Sequence, residues 1–229
     1  MKELDEINGR LRDGLIFCRK VYGLFEKIRK GPDGVRRLRG REKLEKKLIE
    51  ELLPVARYVQ MRYNHGRKIK VRWIDGNQQY DAYLLSSGWL VEHGFVPKKQ
   101  FLEVTRAVHQ KDYLARECLN KHGATFGTRG MTRDKKTKEI ISKPTVYTDH
   151  EAEDEFVELI KSRINEKVKK QYPKDTLLII ECVFDSPFLD SEWDYIIEKV
   201  RSANLVRPFK EICLFDSNAK YFTTLYQML

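Results

Sequence analysis

The sequence predicts an α/β protein with a mixed central sheet that is flanked by helices. Strand-like segments follow one another at residues 68–74, 79–85 and 100–108, and a nearly unbroken apolar run occupies residues 177–184. The segment at 68–74 alternates polar and apolar residues, which is typical of a strand with one buried face. The apolar run indicates a central strand that is covered on both faces. Because helical periodicity precedes and follows these strands, an α/β layering is expected.

The remaining elements follow from helical periodicity and from chain breakers. An apolar stripe at residues 4–25 repeats every three or four positions, and the Gly-Pro-Asp-Gly segment at 31–34 ends it. A stronger helix is expected over 41–63 with a kink or a restart at Pro54, and further helices are expected over 111–121, 150–171 and 192–203. A last buried strand is expected at 211–215. We therefore divide the chain into an N-terminal helical extension, residues 1–35, and an α/β domain, residues 36–229.

Composition narrows the class of protein. The 229 residues carry a formal net charge of +10, while 41% of them are hydrophobic, so a folded core with a polyanionic partner is plausible. No apolar run approaches the roughly 20 residues that cross a bilayer, and the first residues lack the apolar core of a signal peptide. The four cysteines are far apart, without zinc-like spacing, and no phosphate-binding loop, HExxH or GxSxG motif is present. A cytoplasmic protein without a membrane segment is expected.

The positive charge is concentrated in two stretches. Residues 1–50 carry 15 basic and 9 acidic side chains, and residues 121–146 carry seven basic and two acidic ones. The second stretch is rich in Gly and Thr and indicates a mobile loop or a long hairpin. Both stretches are candidates for binding phosphates, and a solubilising surface is the alternative. The candidate residues are Arg36, Arg37, Arg39, Arg41, Arg129, Arg133, Lys135, Lys136 and Lys138.

Two carboxylates stand out in the predicted strands. Asp81 lies near the start of the second strand, and Glu103 lies inside the apolar third strand. Since consecutive strands are usually neighbours, the two carboxylates can converge on one point. Paired carboxylates form a hard-oxygen site that suits Mg²⁺. The alternative is two acids at strand ends that face solvent or pair with basic neighbours.

Helical geometry adds an acid and a base. At about 100° per residue, Glu45 falls within the apolar face of the helix over 41–63, Glu50 points to the opposite side and Glu51 lies at the edge. A core-facing acid needs a partner such as a metal or a buried base, unless it reaches water at the helix start. Lys167 falls within the apolar sector of the helix over 150–171. It could act as a cation at a reaction centre or extend to water near the helix C-terminus.

The order of elements, together with these residues, resembles the PD-(D/E)XK nuclease superfamily over residues 41–184. The resemblance implies a restriction-endonuclease-like αβββαβ core in which Asp81 and Glu103 hold Mg²⁺ or Mn²⁺. Glu45 would be the supporting helix acid, and Val104 would supply a carbonyl oxygen. Thr105 stands where the family has its lysine, and Lys167 is the candidate to replace that lysine from the following helix.

The sequence therefore predicts two alternative functions. The first is metal-dependent hydrolysis of nucleic acid, DNA being favoured over RNA, in which Asp81 and Glu103 hold the metal and Lys167 or Thr105 orients the attacking water. The second is a catalytically inactive nucleic-acid-binding or assembly protein that retains the fold. With either function, the N-terminal helix could form a homodimer or bind a helper protein.

Overall fold

The structure, a computed structural model, describes residues 2–148, 150–184, 189–203, 205, 208–218 and 220–226. Its helices are α1 (Lys2–Asp5), α2 (Gly14–Lys30), α3 (Gly34–Gly40), α4 (Lys43–Lys47), α5 (Leu53–Arg62), α6 (Trp89–Glu92), α7 (Asp112–His122), α8 (Glu151–Val168) and α9 (Asp190–Ser202). Its strands are β1 (Arg12–Asp13), β2 (Lys68–Trp73), β3 (Ala82–Ser87), β4 (Lys99–Ala107), β5 (Met131–Arg133), β6 (Ile140–Ser142), β7 (Thr176–Cys182), β8 (Glu211–Asp216) and β9 (Phe222–Tyr226). A π-helical turn, Leu48–Leu52, joins α4 to α5, and a 3₁₀ turn, Thr128–Gly130, precedes β5.

The central sheet has seven strands in the order β1-β2-β3-β4-β7-β8-β9. Strands β1 to β4 are antiparallel neighbours, β4, β7 and β8 are parallel, and β9 returns antiparallel to β8. The predicted α/β class, with a mixed sheet flanked by helices, is confirmed. The edge strands β1 and β9 were not predicted from the sequence.

Helices cover both faces of the sheet. In β7, Leu177 and Ile179 pack in the core beneath α2 and α5, whereas Leu178 and Ile180 pack beneath α8 and α9. Every residue of β7 is buried, as expected for a central strand between two helical layers. The two-residue alternation of this strand therefore builds both cores at once.

The N-terminal helix is part of the main core. Its residues Phe17, Val21 and Leu24 are buried in the same cluster as residues of α5, β2 and β3. Asp13 caps α2 by accepting a hydrogen bond from the backbone N–H of Leu15 at 2.9 Å. This core therefore includes residues on both sides of the expected boundary between residues 35 and 36. The chain covers the face of α2 that carries these residues, whereas Leu11 and Leu15 of the predicted stripe are 43% and 50% exposed.

The helix predicted over 41–63 contains a π-helical turn just before Pro54. The backbone N–H of Leu53 reaches the carbonyl of Leu48, five residues earlier. A proline in a regular α-helix clashes with the carbonyl four residues before it, and the wider π turn relieves this clash. The α-helix therefore restarts at Leu53 with Pro54 in its first turn, as one of the two expectations for this proline had it. The extra residue in the π turn changes the direction of every side chain beyond it.

The basic stretch at 121–146 contains the short β5–β6 hairpin, which packs with α7 through a small cluster around Leu114, Cys118 and Met131. All four cysteines are free and buried. Within the described ranges, no helix has both the length and the apolar character of a membrane-spanning segment.

Candidate active site

The backbone of Asp81 is fixed between β2 and β4. Its N–H donates to the carbonyl of Leu102 at 2.8 Å, and its carbonyl accepts from the N–H of Ile74 at 3.0 Å. The side-chain amide of Gln78 closes the preceding loop by donating to the carbonyls of Ile74 and Tyr80, at 2.8 and 2.7 Å. Asp81 is therefore held at the point where β3 begins.

The side chain of Asp81 occupies an open edge of β4. Strand β3 pairs with β4 only from Ala82 to Leu85, opposite Lys99 to Leu102, so no strand continues along this edge beyond Leu102. There, Oδ2 of Asp81 accepts a hydrogen bond from the backbone N–H of Val104 at 2.7 Å. The carboxylate of Asp81 thus accepts a hydrogen bond that the backbone of a neighbouring strand would otherwise accept. The edge of β4 beyond Leu102 lines a cleft.

Glu103 lies on the opposite face of β4 from the core residues Leu102 and Val104, and it is only 6% exposed. Its Oε1 lies 2.5 Å from Nζ of Lys167 and 3.3 Å from Oη of Tyr172. Burial, followed by the charge of Glu103, raises the pKa of Tyr172, so its hydroxyl remains a donor. Glu103 is therefore a buried carboxylate held by one cation and one hydroxyl.

Lys167 reaches this site because α8 is a regular helix. Val157, Ile160 and Ile164 form the buried face of α8, and Lys167 follows one turn after Ile164 on the same face. Its side chain is 17% exposed. The structure thus brings together Glu103 and the lysine that helical geometry selected.

The electrostatics of Asp81 depend on a second carboxylate nearby. Burial and the negative charge of Glu103 raise its pKa to about 7, although the hydrogen bond from Val104 acts in the opposite direction. The charge of Glu51 raises this pKa further, whereas Lys167 lowers it. Asp81 and Glu103 therefore lie close enough to repel each other, and a cation between them would relieve that repulsion.

The helix acid beside Asp81 is Glu51 rather than Glu45. Glu51 lies in the π-helical turn, accepts from Nε1 of Trp73 at 3.3 Å, and pairs with Lys47 at 2.8 Å. Glu45 is buried, as expected, but its partner is Arg37, whose Nη2 lies 2.6 Å from Oε1. Glu45 lines neither cavity beside Asp81. The extra residue in the π turn explains the difference, because regular helical spacing does not hold across it.

Two cavities adjoin the carboxylate pair. One, of about 330 Å³, lies over the open edge of β4 and includes Thr105, and the other, of about 450 Å³, includes Glu103 and Tyr172. Asp81 and Lys167 line both cavities. Thr105 is therefore also near the predicted site, and together these cavities leave room beside the carboxylates for a substrate group and water.

The ligand set is small. In the part of the chain that the structure describes, no group of three or more His, Cys, Asp or Glu side chains is arranged to hold a metal. Asp81 and Glu103 offer two carboxylates, which is a donor set that Mg²⁺ uses together with waters and substrate phosphates. The residues present therefore fit a two-carboxylate site that is completed by other ligands.

The arginine cluster at 36–41 borders a groove between α3 and α7. This groove, of about 700 Å³, is lined by Arg36, Arg39, Arg41, Lys46, Arg116 and Lys121, with Glu50 and Glu117 as its acids. Glu50 also lines the cavity over β4, so the groove adjoins the carboxylate site. Arg37 does not line the groove, because it pairs with Glu45.

The basic residues of the β5–β6 region divide into two groups. Arg129 pairs with Glu151 at 2.5 Å, and Arg133 pairs with Glu117 at 2.5 Å, so both charges are balanced by acids of this chain. Lys135, Lys136 and Lys138 are exposed near the tip of the hairpin.

Sequence reasoning did not single out Glu51 as a site residue, nor Tyr172 or Arg106, which also adjoin the site. The only signal for Glu51 was its position at the edge of the apolar face. No family model matches the chain, and comparisons with curated proteins and with solved structures give no match.

Proposed function

We propose that this protein is a metal-dependent phosphodiesterase that hydrolyses nucleic acid, with DNA favoured over RNA. The observation that carries the proposal is the pair of carboxylates, Asp81 and Glu103, beside Lys167 at the open edge of β4. An acid pair with a neighbouring lysine is the constellation that the resemblance to PD-(D/E)XK nucleases implies. The elements α5, β2, β3, β4, α8 and β7 follow one another in the order on which that resemblance rests, with α6, α7 and the β5–β6 hairpin inserted among them.

The cation in this proposal is Mg²⁺ or Mn²⁺. The raised pKa of Asp81 supports a cation here, because two mutually repelling carboxylates are stabilised when a divalent ion lies between them. When bound, such an ion supplies Lewis-acid stabilisation of the negative charge that develops on a phosphate. Asp81 and Glu103 would hold it, and Glu51 would add negative charge from the helix side.

The chain's own side chains then position the reactants. Lys167 donates to Glu103 and lines both cavities, so its ammonium group can orient a water molecule beside the carboxylates. Tyr172 donates to the same oxygen of Glu103 and fixes the orientation of that carboxylate. Thr105 adds a hydroxyl in the cavity over β4. We assign Lys167 the role that a lysine at position 105 would otherwise have.

The charge around the site supports a polyanionic substrate. The basic groove between α3 and α7 meets the cavity over β4 at Glu50. A nucleic-acid backbone that lies along Arg36, Arg39 and Lys46 would bring its next phosphates toward Asp81. Contacts of this kind do not depend on base sequence, so they favour affinity rather than sequence selection.

The second candidate function is nucleic-acid binding without cleavage. It is favoured by Thr105 in the position of the family's lysine, and by the lack of a third metal ligand in the described ranges. In that case the ion pair between Lys167 and Glu103 would serve stability alone. The basic groove would bind nucleic acid as before.

A cleavage assay separates the two functions. Supercoiled plasmid, single-stranded DNA and single-stranded RNA are incubated with Mg²⁺ or Mn²⁺ and with the wild type or Asp81→Ala. Metal-dependent cleavage that the substitution abolishes supports the enzyme. If both proteins bind nucleic acid equally well and neither cleaves it with either ion, the hydrolytic function is wrong.

A further inference from the structure

The cavity over the open edge of β4 is lined by two arginines that the carboxylate site does not use. Arg106 comes from the end of β4, and Arg163 comes from α8 one turn before Lys167. Both line the cavity of about 330 Å³ together with Asp81 and Thr105. The acids Glu50 and Glu51 and the base Lys167 complete its charged lining, so the two guanidinium groups share this space with carboxylates.

Arg106 is a buried cation with unused hydrogen-bond donors. Its side chain is 9% exposed, and its Nε donates to Oε2 of Glu181 at 2.5 Å. Among the described residues, Nη1 has no hydrogen-bond partner and is shielded from solvent. Nη2 makes no hydrogen bond there either but is not shielded, so it is the donor that a ligand in the cavity can reach. A buried charged donor without an acceptor is costly, so an acceptor from outside the chain would stabilise this arginine.

Arg106 shares its acidic partner with another arginine. Glu181 is buried and pairs with both Arg106 and Arg57, whose side chain is 22% exposed. A third guanidinium, that of Arg41, is nearby and has Glu50 and Asp112 as its own partners. An anion beside Arg106 would therefore give this arginine a second partner.

Arg163 supplies a second set of donors at the same cavity. Its Nη1 donates to Glu166 at 2.9 Å, while its Nε is buried and has no hydrogen-bond partner in the described ranges. The planar guanidinium group presents its donors in a fork that matches the oxygens of a phosphate. Two such groups lining one cavity suit a ligand with several acceptor oxygens.

We propose that Arg106 and Arg163 form a phosphate-binding subsite beside the carboxylate pair. Its ligand is a phosphate or phosphodiester oxyanion, and we assign it the substrate phosphate next to the one that is cleaved. That role in the reaction rests on the proposed function, whereas the binding of phosphate does not. The two arginines position the substrate backbone across the edge of β4, and the carboxylates and Lys167 remain the reaction centre.

The test uses inorganic phosphate and needs neither metal nor cleavage. Thermal unfolding of the metal-free protein is followed while potassium phosphate replaces potassium chloride at matched ionic strength. Phosphate stabilises most proteins by exclusion from their surface, an effect that grows steadily with concentration. Specific binding to the native state adds a rise in melting temperature that begins near the dissociation constant and then follows the logarithm of the phosphate concentration. We expect this logarithmic rise in the wild type, and we expect it to begin at about tenfold or more higher phosphate in Arg163→Gln and Arg106→Gln.

Arg133→Gln is the matched control, because Arg133 has a side-chain exposure of 32%, against 31% for Arg163, and lies outside the cavity. It should show the rise from the same phosphate concentration as the wild type. If Arg106→Gln does not fold because Glu181 loses a partner, Arg163→Gln decides the test, since among the described residues Arg163 forms an ion pair only with Glu166 on the same helix. A wild type without the logarithmic rise, or an Arg163→Gln protein that responds like the wild type, overturns the subsite. A protein that binds phosphate in this way but does not cleave nucleic acid would retain the subsite and lose the proposed reaction.

Discussion

Asp81 is the residue on which the site depends most. Its backbone is fixed by Leu102 and Ile74, and its side chain accepts from Val104, so it cannot turn away from Glu103 without losing these contacts. The strain of this arrangement is electrostatic, because burial and a second carboxylate both disfavour the ionised form. Sites with perturbed carboxyl groups are more often functional than an average surface.

Asp81→Asn should stabilise the metal-free protein at high pH. The pKa of Asp81 is raised from 3.8 to about 7 in the folded protein, so the native state binds this proton more tightly than the unfolded state. The resulting destabilisation is absent below pH 3.8, grows between pH 3.8 and 7, and is complete above pH 7. We expect the variant to be more stable at pH 8 by on the order of 1–3 kcal/mol, with the difference vanishing toward pH 4.

Urea unfolding at both pH values measures this difference. Asp134→Asn is the control, because Asp134 is outside the site and its pKa is lowered by backbone hydrogen bonds. A stability difference for Asp81→Asn that is the same at pH 4 and pH 8 would contradict the account of this carboxyl group.

Lys167→Gln should impair the reaction rather than the binding of substrate. The ammonium group of Lys167 is 2.5 Å from Glu103, and no second lysine contacts that carboxylate among the described residues. We expect the cleavage rate at saturating DNA to fall by about 100-fold or more. Lys161→Gln, on the same helix but paired with Glu158, is the control and should cleave like the wild type. A Lys167→Gln protein with an unchanged rate at saturating DNA would exclude this role for Lys167.

The π-helical turn between α4 and α5 is the element that decides which acid joins the site. It accommodates Pro54 and adds one residue to the turn, and so it places Glu51 near Asp81 while Glu45 pairs with Arg37. A helix regular through residue 54 would have directed a different set of side chains toward β3. The helix acid near Asp81 is therefore one that lies outside the regular apolar face.

Substituting each acid separately distinguishes the two positions. Glu51→Gln should lower cleavage, because it removes negative charge beside Asp81. Glu45→Gln should leave cleavage intact but destabilise the protein by about 1–3 kcal/mol, since it removes a buried partner of Arg37. Cleavage rates and urea unfolding of both variants at one temperature provide the comparison. The reverse pattern, with cleavage lost only in Glu45→Gln, would restore Glu45 as the site acid.

Elements with regular geometry were predictable from the sequence, and those with irregular geometry were not. The apolar face of α8 led to Lys167, and the alternation of β2 and the apolar run of β7 indicated the sheet. Glu51 was missed because a π turn has no strong sequence signal other than the proline that follows it. Arg106 was missed because its importance depends on Glu181 in β7, a partner 75 residues away that only the folded chain brings close. Strand β9 was missed because it is a short edge strand, which among the described residues pairs with β8 alone.

At the scale of the whole molecule, the net charge of +10 is not evenly available to a partner. Arg129 and Arg133 are paired with acids of this chain, whereas Arg36, Lys46 and Lys121 are exposed along the groove between α3 and α7. The exposed basic residues of the groove are therefore expected to contribute more to binding a polyanion than the paired Arg129 and Arg133. The groove also adjoins the carboxylate site, which the hairpin lysines do not line.

Charge removal from the groove should weaken DNA binding more than charge removal from the hairpin. The comparison is between Arg36→Gln/Arg39→Gln/Lys46→Gln and Lys135→Gln/Lys136→Gln/Lys138→Gln, each combined with Asp81→Asn so that DNA is not cleaved. Each lost phosphate contact lowers the slope of log affinity against log salt by about 0.9 for a duplex. We expect a reduced slope mainly for the groove variant, measured by fluorescence anisotropy at several salt concentrations. A larger loss of slope in the hairpin variant would place the nucleic acid on β5 and β6 instead.

The most direct test of the central claim is whether Asp81 and Glu103 bind a divalent cation. Binding of Mn²⁺ to the protein is measured by electron paramagnetic resonance of the free ion, for the wild type, Asp81→Asn, Glu103→Gln and the control Asp134→Asn. We expect a saturable Mn²⁺ site in the wild type and in the control, and its loss in both site variants. Mn²⁺ binding that is equal in all four proteins, or that is absent from the wild type, would contradict this claim.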